Sequence, residues 1–327
     1  MRDIIEKSGP IDPSFLEAEQ VPVVLRGAVE SWPCVAQARQ SDAQIIDYIR
    51  SFSTSLPVTV YQLLEGQERR FFYNRSMDGF NFSAVRMKLE DVLDKLSNAE
   101  KGLGAGYYVG STTLNKYLPG FTEQNSLNEL KHDALVSIWL GNEATIAAHF
   151  DAPNNIACCV AGRRRFTLFP PEEVANLYVG PLEKTPSGQS ISLVNPQEPE
   201  KFPKFFDALK NAYIAELEPG DAVYIPPMWW HQVEALSSFN VLINYWWRNV
   251  PRFKGPGLDA LVHAVLNIRD LPIAERKAWR ELFEYYVFSD QENKFDYMPE
   301  EAKGFLGALD ERKSRQIRAW LLNRLNQ

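Results

Sequence analysis

A mainly β fold, a double-stranded β-helix (jelly roll) with flanking N-terminal helices and a C-terminal helical subdomain, is what this 327-residue chain predicts. Three features carry that expectation. From Ala134 to about Trp247 the chain is a series of short apolar runs broken by turns, with no long helical pattern between them, as in an antiparallel sandwich or barrel. His149 and His231 each sit beside such a run, and a jelly roll has a mouth at which separated strands converge. After Pro251 the apolar spacing becomes helical. The expected domains are therefore 1–254, the jelly roll with its N-terminal elaboration, and 255–327, a helical subdomain expected to dimerise.

Taken in order, Val21 to Gly27 predicts a short strand with Pro22 at its start, where a missing ladder donor is tolerated. Ser41-Asp42-Ala43-Gln44 has the form of a capping box and leads into Ile45, Ile46 and Ile49 at helical spacing, which predicts a helix over about 42–52. Val58 to Tyr61 and Arg70 to Tyr73 are strand-like, and Leu89, Val92, Leu93 and Leu96 mark an amphipathic helix. Gly102-Leu103-Gly104-Ala105-Gly106 lacks the spacing of a phosphate loop and reads as a lead-in to a strand at Tyr107 to Gly110. Further strands are expected at 134–140, 156–160, 165–169 and 240–246, with Ala161-Gly162 as a tight hairpin turn and 172–212 as a long excursion. Stripes at Leu258, Leu261, Val262, Val265 and Leu266, at Trp279, Leu282, Phe283 and Tyr286, and at Ile317, Trp320, Leu321 and Leu325 predict three C-terminal helices.

Composition bounds the function. With 45% hydrophobic and 24% charged residues the chain is that of a globular protein, and its net charge of -7 argues against DNA and anionic membranes as partners. The charged start, Met1 to Lys7, lacks the apolar core of a signal peptide, and no apolar run is long enough to span a bilayer. A cytoplasmic location is expected. The three cysteines, Cys34, Cys158 and Cys159, make no disulfide framework, and the adjacent Cys158 and Cys159 read as small buried apolar residues.

The chemistry centres on His149-Phe150-Asp151. Side chains at i and i+2 of an extended strand project from one face, so His149 and Asp151 can grip one ion together. A third ligand must come from elsewhere. His231, which follows the strand-like run Ala222 to Ile225, is the best candidate, and two imidazoles with one carboxylate suit Fe(II) and oxygen chemistry. His-x-Asp alone is a weak signal. His132, in a polar stretch, and His263, off its helix's apolar stripe, read as surface residues.

Wider motifs strengthen the reading. They are Thr145 to Asp151, then Asn155, then Gly162-Arg163-Arg164-Arg165-Phe166-Thr167-Leu168-Phe169-Pro170-Pro171, then Gly220 to Val233, and finally Asn244-Tyr245-Trp246-Trp247. Together they resemble the JmjC, cupin-like 2-oxoglutarate oxygenases, and above all the asparaginyl hydroxylase of hypoxia-inducible factor and its bacterial relatives. The resemblance covers most of the chain. It implies His149, Asp151 and His231 as ligands of Fe(II), with 2-oxoglutarate as co-substrate alongside O2. It further implies that Arg164, Tyr108, Thr145, Asn155 and Asn244 hold 2-oxoglutarate. This chain has arginine where the asparaginyl hydroxylase has lysine, and Thr145 falls one residue off the expected spacing. Strand alternation puts Arg164 on the face opposite Arg163 and Arg165, so at most one side of that cluster enters the barrel.

The expected function is Fe(II)- and 2-oxoglutarate-dependent hydroxylation of a C–H bond in a peptide, protein or small molecule, with release of succinate and CO2. Trp246 is the candidate for the substrate pocket. Two other readings stay open: a metal-dependent cupin enzyme that does not use 2-oxoglutarate, and a non-catalytic jelly-roll binding module.

Overall fold

The computed structural model describes residues 1–63, 69–98, 106–130 and 133–326. Residues 102–105 of the glycine-rich lead-in and His132 lie outside them. Two compact units divide the chain, residues 1–247 and 248–327.

The first unit begins with β1 (Ile5–Ser8), α1 (Pro13–Glu19), β2 (Val23–Arg26), α2 (Pro33–Gln40) and α3 (Asp42–Ser51). There follow β3 (Pro57–Leu63), β4 (Arg70–Phe71), β5 (Phe82–Lys88), α4 (Leu89–Ser97), β6 (Tyr107–Thr113) and two single turns, α5 (Leu114–Tyr117) and α6 (Phe121–Gln124). The unit closes with β7 (Leu135–Gly141), β8 (Ala144–Phe150), β9 (Asn154–Ala161), β10 (Arg164–Phe169), α7 (Phe205–Asn211), β11 (Tyr213–Leu217), β12 (Ala222–Ile225), β13 (Trp230–Ala235) and β14 (Asn240–Trp247). Among the described residues these strands form two sheets, ordered β1-β2-β12-β9-β14-β7-β6-β3-β5 and β11-β10-β13-β8-β4. The architecture is the mainly β, cupin-like sandwich with N-terminal helices that the sequence predicts.

Strand β9 shows how the layers are built. All eight of its residues are buried, and they alternate between two cores. Ile156, Cys158 and Val160 join the helix side with Ile45, Ile49 and Leu93, whereas Ala157 and Cys159 face the second sheet with Phe166, Leu168 and Val233. A strand apolar on both faces is what a central strand between two packed layers requires. The two cysteines are thus small core residues facing opposite ways, and both are free thiols. On the outer layer half of the predicted capping box forms: the Ser41 hydroxyl accepts from the Gln44 N–H, while the Ser41 N–H donates to the Gln37 carbonyl, and α3 buries Ile45, Ile46 and Ile49.

One expectation is corrected. Ala161-Gly162 is a tight turn, but β9 pairs with β12 and β14 whereas β10 pairs with β11 and β13, so the turn is a corner between sheets and not a hairpin. Turn residues encode the reversal of direction but not the partner that each arm then finds. Gly162 has φ +72°, and a Cβ there would lie 2.4 Å from Asn240 Oδ1 and 2.5 Å from the Phe239 carbonyl oxygen.

The second unit carries α8 (Gly257–Asn267), α9 (Ile273–Phe283) and α10 (Glu311–Leu325), with Asp310 capping α10 by accepting from the Lys313 N–H. None of the three buries a side chain, and Leu261, Leu266, Trp279 and Trp320 are exposed. Among the described residues no helix is long and apolar enough to cross a membrane.

The Gly162 corner sets where β10 begins. Replacing it, Gly162→Ala, combines a left-handed backbone with two contacts no Cβ can make, and should cost about 2–4 kcal/mol of stability in denaturant unfolding. An unchanged unfolding midpoint would show that the corner tolerates a side chain.

Candidate metal centre

The pairing of β8 with β13 puts His231 directly opposite His149, and Asp151 follows two residues after His149 at the end of β8. One ligand atom from each of the three lies within 4.8 Å of the others. The imidazole centroids are 4.4 Å apart, and His231 Nε2 is 3.7 Å from Asp151 Oδ2. Alternation sends the intervening residues the other way. Phe150 and Trp230 meet edge to face at 4.9 Å and pack with Phe169 and Leu177, behind the cluster.

Both rings are held by the same device. His149 Nδ1 lies 2.9 Å from the Ala147 carbonyl oxygen, and His231 Nδ1 lies 3.0 Å from that of Trp229. A carbonyl only accepts, so each Nδ1 carries the proton and each Nε2 keeps its lone pair for a ligand bond. Burial, reinforced by the neighbouring His149, lowers the His231 pKa and keeps that ring neutral, as ligation requires. Two imidazoles and one carboxylate on one side of a space fit a divalent first-row metal, and the set matches Fe(II) with open positions.

That space is a cavity of about 510 Å³ between the two sheets. The five-stranded sheet contributes His149, Arg164 and His231, and the nine-stranded sheet contributes Tyr108, Asn155, Asn244 and Trp246. These expected site residues are brought together. Thr145 is not, because β8 carries a bulge. His231 opposes His149, but Val233 opposes Ile146, so one extra residue on β8 reverses which face the preceding side chains, Ile146 and Thr145, take. Thr145 accordingly pairs with Glu234 away from the cavity, and Ile146 lines the wall in its place.

Arg164 is 2% exposed, whereas Arg163 and Arg165 reach the surface to pair with Glu216. Its Nε has no partner, and burial lowers its pKa. A guanidinium does not give up its proton, and Arg164 makes no ion pair among the described residues, so its buried charge is costly unless an anion joins it. Asn244 donates to Asn155 at 2.7 Å and leaves its own Oδ1 unpaired. The indole nitrogens of Trp139 and Trp246 are also buried without a partner on this wall. Tyr61, Phe71, Phe82 and Tyr108 form an aromatic side wall, with Tyr108 5.3 Å from Phe71 and 5.8 Å from Trp139. Of these wall residues, Ile146, Trp139, Tyr61, Phe71 and Phe82 carry no signal that sequence reasoning assigned to the site. The segment Thr185 to Gly188, from the excursion between β10 and β11, completes the lining.

Comparison with known proteins agrees with this geometry. Residues 12–253 match the family described as Cupin-like domain. Lysine-specific demethylase JMJ31 of Arabidopsis thaliana is 32% identical over 133 residues, covering 40% of this chain and 23% of that protein. JmjC domain-containing protein D of Dictyostelium discoideum is 26% identical over 234 residues, 67% of this chain and 50% of the relative. The tRNA wybutosine-synthesizing protein 5 of Gallus gallus is 28% identical over 245 residues, 70% of this chain and 71% of the relative. The chain thus spans half or less of the length of the first two curated relatives. These matches carry the family and not the narrower likeness to an asparaginyl hydroxylase.

Substituting His231→Ala removes a ligand that burial keeps neutral. Calorimetric titration with Mn(II) should show affinity falling by more than the roughly 10–100-fold typical of losing a ligand's orienting partner. Equal Mn(II) affinity in a folded variant would remove His231 from the centre.

Proposed function

The chain belongs to the cupin-like domain family, and on that premise we propose that it is an Fe(II)- and 2-oxoglutarate-dependent oxygenase that hydroxylates a C–H bond. The observation that carries the reading is one cavity holding both the His149–Asp151–His231 cluster and a buried Arg164 whose Nε has no partner. In this reading the three side chains hold Fe(II), which with 2-oxoglutarate and O2 supplies oxidative decarboxylation to succinate and CO2 coupled to hydroxylation.

The protein's own part is positioning. The carbonyls of Ala147 and Trp229 fix the imidazoles before any ligand arrives, so no reorientation is needed on binding. Arg164 presents a fork to a carboxylate. On β10 it lies four residues from Leu168, the residue opposite His231, which is roughly 13 Å along the strand. A ligand touching both ends must be extended and carry an anionic group far from the metal. That favours 2-oxoglutarate over a short keto acid, and it disfavours the cupin chemistry that dispenses with 2-oxoglutarate. Tyr108, Asn155 and Asn244 surround the same space, and aromatic side chains line it.

The substrate is proposed to enter past Trp246 and the Thr185 to Gly188 segment, as a peptide, protein or small molecule. Relatives named for lysine demethylation and wybutosine synthesis mark the range of substrates in related proteins.

The test is succinate formation from 2-oxoglutarate in air with Fe(II). Wild type should form succinate, Asp151→Ala should form none, and Arg164→Met should need about 30-fold more 2-oxoglutarate for half-maximal rate. Succinate at the metal-free background in wild type would overturn the proposal.

A further inference from the structure

We propose that Trp139, in the middle of β7, is a specificity-determining residue of the keto-acid pocket: its indole N–H donates to the same carboxylate that Arg164 holds, selecting acids with a distal carboxylate. The inference rests on the oxygenase reading above and extends it to a residue outside the metal cluster.

Topology puts the two groups at one end of the sandwich. Trp139 lies opposite Leu242 on β14, and Leu242 lies opposite Cys159 near the end of β9. The Gly162 corner then starts β10 at that same end, with Arg164 as its first residue. Trp246 pairs instead with Asn155, towards the opposite end of β9. The backbones of Trp139 and Arg164 therefore lie towards the same end of the sandwich on different sheets, and both side chains line the one cavity. Tyr108 links them, since its ring is 5.8 Å from that of Trp139 and it lies within the field of the Arg164 charge.

The two groups make matching demands. Trp139 Nε1 and Arg164 Nε are both buried and both lack a partner. An indole N–H can only donate, and a guanidinium can only donate. A carboxylate offers about four lone-pair sites, of which a bidentate arginine uses two, so a neutral donor beside the fork has an oxygen to meet. An ammonium, which has no lone pair, would leave both unmet. The indole is also held in place: its ring is 5.8 Å from Trp246 at 85°, and a Cβ at Gly110 would come within 3.1 Å of it. A donor fixed before the ligand arrives loses little freedom on binding.

Calorimetry on the Mn(II)-loaded protein under oxygen-free conditions, with 2-oxoglutarate and with 2-oxobutyrate, tests this. Wild type should prefer 2-oxoglutarate, because 2-oxobutyrate lacks the distal carboxylate. In Trp139→Phe, 2-oxoglutarate should bind about tenfold more weakly with 2-oxobutyrate unchanged. Should Trp139→Phe hold Mn(II) less tightly than wild type, Trp139→Leu is measured in its place and the same comparison decides. Unchanged 2-oxoglutarate affinity, or an equal loss for both acids, overturns the role of Trp139 alone. A wild type with no preference between the two acids overturns the oxygenase reading together with it.

Discussion

The pairing of β8 with β13 is the constraint on which the site depends. It sets His231 against His149 across two neighbouring strands, and it contains the bulge that turns Ile146 into the cavity and Thr145 out of it. Because side chains on a strand alternate with period 2, a slip of one residue would send a ligand to the opposite face. The packing behind the cluster opposes such a slip, since Phe150 against Trp230 fills the outer face only when His149 and His231 take the inner one.

A second constraint is electrostatic. The cavity wall carries donors that the fold does not satisfy: the guanidinium of Arg164 and the indoles of Trp139 and Trp246. Buried polar groups are ordinarily paired, because leaving one unmet costs about 1–3 kcal/mol. Several such donors lining the cavity that also holds the metal-ligating cluster suit an anionic, oxygen-rich ligand. The neighbouring basic residues do not share this character, for Arg163 and Arg165 pair at the surface with Glu216, Glu218 and Glu234.

Much of this was readable from the chain. Alternation alone separated Arg164 from Arg163 and Arg165, the i, i+2 spacing paired His149 with Asp151, and the Ser41 box marked the start of α3. Helical stripes located α8, α9 and α10. What escaped depends on partners that a sequence does not display. The Ala161-Gly162 turn was legible as a turn but not as a corner between sheets. Thr145 was misplaced because a bulge is a property of two strands together. Strand β5, polar on much of its surface at a sheet edge, has too little apolar alternation to be seen. Trp139 gains meaning only from Arg164 on the facing wall.

The central claim is that one cavity binds Fe(II) through His149, Asp151 and His231 and 2-oxoglutarate through Arg164. Oxygen-free addition of 2-oxoglutarate to the Fe(II)-loaded protein tests it most directly. The account predicts a weak visible charge-transfer band that saturates at one equivalent and is lost in Arg164→Met with Fe(II) still bound. A wild-type protein that binds Fe(II) yet shows no such band would contradict it.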